Sequence, residues 1–150
     1  MSRVRLSGRF SAAQRLRKRR DFQRVQASGL RVVSPRFVFL LCPSGNSLHA
    51  PCRLGVVASR RIGNAVVRNR AKRLVREAYR ATRAIWRAGV DVVVVVRKPL
   101  GRTKLADVVA EWLSIGATLE ARVARCRSLA KDAADSPAEP VLSPTGESND

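Results

Sequence analysis

Apolar positions along this chain change period several times, and each change marks an element. In residues 21–28, Phe22 and Val25 share one face of a short helix that Gly29 is placed to end. Residues 31–34 read as a short strand, and residues 36–42, RFVFLLC, as a longer one rich in aromatic and aliphatic side chains. After a break at 43–47 (PSGNS), residues 53–59, RLGVVAS, make the next strand. The two longer runs are expected to pair as an antiparallel hairpin across their long loop. Gly63 and Asn64 form a turn pair ahead of good helix formers, so Asn64 is expected to cap a helix that begins near Ala65 and stops at Gly89. Residues 90–97, VDVVVVVR, are a nearly continuous run of Val, the pattern of an inner strand covered on both faces. Residues 104–127 carry Leu105, Val108, Val109, Trp112, Ile115, Leu119 and Val123 at helical threes and fours, with Gly116 weakening the helix by about 1 kcal/mol relative to Ala. This order and a length of 150 residues argue one domain around a single core.

Charge singles out the middle helix. At about 100° per residue, Arg68, Lys72, Arg76, Tyr79 and Arg83 fall within an arc of about 80°, and Val67, Ala71, Leu74, Ala78, Ala81 and Ile85 cluster in a separate one suited to a core. From Arg60 to Arg87 there are ten basic residues and one acid, Glu77, so the opposite-charge pairs that usually steady a polar helix face are mostly missing. Such a surface calls for an external polyanion, and a nucleic-acid backbone supplies regularly spaced charges whose neutralisation releases counterions. The whole chain agrees. It has 30 Lys+Arg against 11 Asp+Glu, and five of the acids lie in residues 132–150, so residues 1–131 carry a net +24. Arg outnumbers Lys, and its planar fork grips phosphate and stacks on bases, which favours nucleic acid over a membrane surface.

Residues 1–14 are read as a basic, flexible arm, with Ser11 and Gln14 forming a capping box. A transit peptide is the competing reading, set aside because the basic run continues into the first element without a cleavage-like break. Residues 15–130 are expected to form the nucleic-acid-binding domain, and 131–150, rich in Pro, Ser and acids, an acidic disordered tail. No apolar run approaches the ~20 residues needed to span a bilayer. Cys42, Cys52 and Cys126 are odd in number and irregularly spaced, which fits a reduced, cytoplasmic protein. Cys42, His49 and Cys52 match the spacing of no common zinc module.

Catalytic parts are sparse. Asp21, Glu77, Asp91, Asp107, Glu111 and Glu120 are scattered without the paired carboxylates of a two-metal nuclease. His49 is the single histidine and sits in a loop, so the general acid and base of a metal-free ribonuclease are also missing. There is no Gly-rich phosphate loop followed by Lys-Ser/Thr. Phe22 is a core anchor in the simplest reading, yet beside Arg20 and Arg24 it also has the surroundings of a base-stacking aromatic. The polypeptide reads as a binder with no catalytic residues of its own.

The run RRIGNAVVRNRAKRLVRE, from Arg60 to Glu77, closely resembles the basic signature of the bacterial ribonuclease P protein component, including its Arg-Asn-Arg core at Arg68, Asn69 and Arg70. The likeness extends to LRKRRDFQRVQASG (16–29), to the strands at 36–41 and 54–59, and to the one ending in Arg97-Lys98-Pro99, covering roughly residues 15–125. The resemblance implies an α+β fold, an α/β sandwich of the ribosomal protein S5 domain 2 type. Its sheet would have about four strands with three helices and a left-handed βαβ crossover, where the general rule expects a right-handed one. It implies a cytoplasmic protein that joins ribonuclease P RNA and supports endonucleolytic removal of the 5′ leader from precursor tRNA. Catalysis and magnesium would belong to the RNA, and no membrane or obligatory protein partner is called for. By position, Arg60, Arg61, Asn64, Arg68, Asn69, Arg70, Lys72, Arg73 and Arg76 belong to the RNA-binding region, and Phe22, Gln26, Phe37 and Leu40 to the leader cleft. Gln26 and Leu40 stand where the family often has aromatics, so stacking should weaken and Arg68, Lys72 and Arg76 should carry more of the binding. A ribosomal-type structural RNA-binding protein with no part in cleavage is the alternative.

Overall fold

The computed structural model describes residues 12–135. Most of the arm, including Ser11 of its capping box, and most of the acidic tail fall outside those residues; the arm's last three, Ala12–Gln14, form a 3-10 turn. Helix α1 (Arg19–Ser28) leads into β1 (Leu30–Val33) and β2 (Phe37–Pro43). Strand β3 (Arg53–Val57), a 3-10 turn at Arg60–Ile62 and helix α2 (Ala65–Ala81) follow. Strand β4 (Val90–Val96) and helices α3 (Leu105–Ser114) and α4 (Gly116–Asp135) complete the chain. Helix α4 thus takes in positions 131–135, which composition alone assigns to the tail.

The sheet has the order β1-β2-β4-β3, with β1/β2 and β2/β4 antiparallel and β3/β4 parallel. The expected hairpin between β2 and β3 does not form, because β4 lies between them. An all-but-continuous Val strand is apolar on both faces, and only an interior position gives it ladder partners on both sides and cover above and below. Strands β3 and β4 are therefore joined through α2 as a parallel βαβ unit.

The pleat divides the side chains into two layers. Phe37, Phe39 and Leu41 of β2 and Val92, Val94 and Val96 of β4 face the main core with α2, α3 and α4. Phe39 and Trp112 meet edge to face at 5.1 Å between ring centroids, and Trp86 stacks between Phe39 and Tyr79. On the opposite face, α1 sets Val25 over Cys42 and Val93, with Leu16 from the preceding segment. Phe22, Leu40, Val57 and Val95 are only partly covered there.

Two helix expectations change. Helix α2 ends at Ala81, eight residues before Gly89. Thr82 Oγ1 donates to the Ala78 carbonyl at 2.8 Å and accepts from Trp86 Nε1 at 3.0 Å, closing the helix and turning Ile85 and Trp86 into the core. Arg83 and Arg87 consequently lie beyond the helix and outside its stripe. The predicted third helix is divided at Ile115 into α3 and α4, so there are four helices where three were expected. Gly116, the weak point, begins the second half.

Candidate nucleic-acid interface

The start of α2 is built as its sequence suggests. Gly63 has φ 147°, and a Cβ there would come within 2.8 Å of Val67, so the turn requires glycine. Asn64 Oδ1 accepts from the Val67 amide at 3.0 Å, capping the helix. The buried side of α2 is rotated from the expected arc: Ala71, Leu74, Val75, Ala78 and Tyr79 are buried, and Val67 is partly exposed. Tyr79 leaves the basic stripe altogether. Its hydroxyl donates to the Cys52 carbonyl at 3.0 Å, and burial pushes its pKa up.

The polar residues of the signature separate by role. Arg60, Arg61, Asn69 and Arg73 are exposed. Arg61 lines a cleft of about 440 Å³ with Ser59, Val95, Arg97 and Pro99. Arg70 is spent internally, donating to the carbonyls of Gly101 at 2.9 Å and Thr103 at 2.6 Å and so tying α2 to the connection before α3. Arg68 is half-buried, with its Nε shielded from solvent and unbonded. Lys72 and Arg76 reach a cleft of about 290 Å³ shared with Arg15, Arg17 and Phe22. Burial first, and the charge of Arg15 second, hold Arg76 below the ordinary arginine pKa, the condition an incoming anion relieves.

Phe22 is seated against a bare backbone. A Cβ on Gly55 would come within 2.5 Å of its ring, so β3 needs glycine there for the aromatic to lie over the strand. Gln26 is exposed on α1, and Leu40 is half-buried on the same sheet face as Phe22. Phe37 is different. It is fully buried in the main core, 5.8 Å from Trp112 between ring centroids, on the face of the sheet opposite Leu40. Its assignment to the cleft lining is therefore corrected: residues three apart on a strand point to opposite faces.

An ion-pair cluster that the sequence reading missed fixes α1 to the sheet. The Asp91 carboxylate, wholly buried, accepts from Arg24 Nη2 at 2.5 Å and from Arg53 Nε and Nη2 at 3.0 and 2.8 Å. Gly45 N donates to it at 3.1 Å, and Arg24 Nη1 also reaches the Pro43 carbonyl at 3.0 Å. The hydrogen bond to Asp91 raises the pKa of Arg53. A lone acid inside VDVVVVVR was the signal, since a charge in an inner strand is kept only if paired.

The remaining reactive groups are similarly occupied. Glu111 accepts from Ser34 Oγ and from the Arg36 amide and guanidinium, pinning α3 to the β1–β2 turn. Burial pushes the Cys52 and Cys126 thiols up to about 12 and also raises Cys42. Among the described residues no group of three His, Cys, Asp or Glu could hold a metal ion. The best-placed carboxylates, Asp91 and Glu111, face guanidinium groups, so these residues do not fit a resident magnesium ion. Among the described residues no helix is long and apolar enough to cross a membrane.

An aromatic on a half-open sheet face with cations around it, and Asp91 and Glu111 committed to guanidinium groups, give an α+β protein a surface of the kind that suits a polyanion. Comparison with known proteins narrows this. The family model described as Ribonuclease P matches residues 10–120. The ribonuclease P protein component of Syntrophus aciditrophicus is 37% identical over 99 residues, covering 66% of this chain and 81% of that protein. The corresponding protein of Chloroflexus aurantiacus is 41% identical over 87 residues, 58% of this chain and 62% of its own. Among solved structures, the RNase P protein from Thermotoga maritima in complex with 1-(4-fluorophenyl)-2-thiourea is 35% identical with a TM-score of 0.58, covering 67% of this chain and 95% of that one. The Staphylococcus aureus RNase P protein is 29% identical with a TM-score of 0.61, covering 71% and 94%. The chain belongs to the ribonuclease P protein family, whose members are subunits of the tRNA-processing ribonucleoprotein.

Proposed function

We propose that this subunit binds ribonuclease P RNA through the exposed basic residues at the start of α2 and the 5′ leader of precursor tRNA along the open sheet face. The observation that carries the reading is the half-buried Phe22, lying over Gly55 and sharing a cleft with Lys72, Arg76, Arg15 and Arg17. That arrangement offers one base a stacking surface and the neighbouring phosphates several guanidinium and ammonium groups. Arg60, Arg61 and Arg73 present their charge, and Asn69 its amide, away from the core and suit the RNA subunit. Arg70 contributes by holding α2 against the α3 connection, and Asn64 by starting the helix. The catalytic step and its magnesium ions belong to the RNA. The protein supplies binding and orientation in the bacterial cytoplasm, and alone it is inactive.

With Gln26 exposed beside Phe22 and Leu40 in place of an aromatic, a leader base meets one stacking surface in this groove. Electrostatics then takes a larger share, carried by Arg68, Lys72 and Arg76. The test is cleavage of precursor tRNA by a bacterial ribonuclease P RNA at low magnesium, with and without the protein. Cleavage only with both components supports the reading. Cleavage by the protein alone overturns it, and RNA binding with no effect on cleavage transfers the chain to a structural RNA-binding role. A salt series on leader affinity checks the finer claim: a shallow slope unchanged by Arg68→Ala or Lys72→Ala excludes the electrostatic share.

A further inference from the structure

A second cationic hollow lies beside the groove and is not used by the binding scheme above. Arg15, Arg17, Lys18, Arg20, Arg24 and Arg53 line a cavity of about 520 Å³. Its remaining wall is Asp21, Gly45 and Asn46. Asp21, the only acid in that wall, lies 3.8 Å from Arg24 Nη2 and 3.7 Å from Arg53 Nη1, the two cations that Asp91 also binds. The inner pair of arginines is thus matched within the protein. Arg17, Lys18 and Arg20 are exposed and form no ion pair with any described acid. Lys18 also occupies the N-cap of α1, where its ammonium side chain cannot accept from the free amides of the first turn, so the positive end of the helix adds to the field of the side chains.

The composition of the wall identifies the ligand chemistry. It has charged side chains, one amide and one glycine, with no aromatic ring, and two of its arginines, Arg24 and Arg53, are already held by Asp91. Six cations there answer a phosphate, whereas a base would find guanidinium faces and no aromatic ring. Arg15 and Arg17 line both this cavity and the cleft that holds Phe22, Lys72 and Arg76, so the two hollows flank one short strap of chain.

We propose that this cavity is a second phosphate site, taking successive backbone phosphates of the RNA strand whose base lies on Phe22. The assignment to RNA rests on the function proposed above, whereas the site itself does not. The probe for the site is inorganic pyrophosphate, titrated into the isotope-labelled full chain at constant ionic strength and followed by amide chemical shifts. Saturable shifts at Lys18 and Asn46 are expected, with affinity reduced about two- to fivefold by each of Lys18→Ala and Arg20→Ala. Both side chains are exposed, so neither variant should disturb folding. Lys72→Ala, on the far side of the strap, should leave those shifts unchanged. Absence of saturation, or equal weakening by Lys72→Ala, overturns the site. For the RNA assignment, the Lys18→Ala/Arg20→Ala double variant should lower the slope of log K against log salt for single-stranded RNA by about 1.4, the value for two phosphates. An unchanged slope beside intact pyrophosphate binding overturns that assignment alone. Neither arm reads cleavage, so failure of the ribonuclease P reading is seen separately.

Discussion

Gly55 is the residue on which the groove depends most directly. A methyl group there meets the Phe22 ring at 2.5 and 2.7 Å, and that ring, projecting from α1, is packed against the cluster of Leu16, Val25, Cys42 and Val93. Gly55→Ala is expected to cost about 1 to 3 kcal/mol in a denaturant titration and to weaken single-stranded RNA binding together with stability, because the ring is displaced as the core is strained. Phe22→Leu should weaken RNA binding with a smaller stability loss. A second prediction concerns the thiols. Cys52 and Cys126 have pKa values of about 12 in the folded protein against an ordinary value of 9.0. A raised folded-state pKa gives stability that is complete below the unfolded value and lost as pH climbs toward the folded one, since only the unfolded chain releases the protons. Unfolding free energy should therefore fall between about pH 9 and 12, and Cys→Ser variants at both positions should flatten that fall. Alkylation at pH 8 should be slow until denaturant is added.

At the scale of elements, the Asp91 cluster joins α1 to β3 and β4 through one carboxylate. Asp91→Asn leaves Arg24 and Arg53 facing a neutral amide and is expected to cost about 3 kcal/mol. Hydrogen exchange should quicken selectively in α1, with α4 little changed; equal acceleration in both helices contradicts a local docking role. Much of the architecture was legible in local pattern: the Asn64 cap, the inner-strand run of Val and the places of β2 and β3, though β3 stops at Val57 where the pattern runs on to residue 59, follow from short-range chemistry. Strand order was not, because the choice between a β2–β3 hairpin and insertion of β4 is decided by burial of a strand more than thirty residues away in the chain. The early end of α2 was hidden for a similar reason, since Thr82 closes the helix in partnership with a Trp86 that the core draws inward. Phe37 was a different case. The two-residue period of a strand already separates it from Leu40, whereas position in the family motif carries no information about the pleat.

For the whole molecule, the decisive quantity is the imbalance of charge. Thirty basic residues against eleven acids leave a strong self-repulsion in the folded state, which ion pairs such as those of Arg24, Arg36 and Arg53 offset locally. Raising salt from low to moderate concentration should increase the Tm of the free protein while weakening its hold on RNA, since screening relieves repulsion in one case and attraction in the other. A thermal melt and an RNA titration over one salt series check both signs. Pyrophosphate at fixed ionic strength should raise the Tm further if binding is specific to the folded state.

The strap before α1 has a consequence for handling and for the cell. Leu16 N donates to the Leu54 carbonyl at 3.0 Å, and Arg15 bridges Leu54 in parallel, so part of the outer rim of β3 is already paired. Strand β3 is an end strand of the sheet, and an uncovered rim of this kind recruits strands from other molecules. The same few residues that present arginines to a polyanion thus act as a seal against self-association. A fusion partner or truncation that peels Leu16 from Leu54 should yield concentration-dependent oligomers by light scattering, even where every charged residue of the groove is retained.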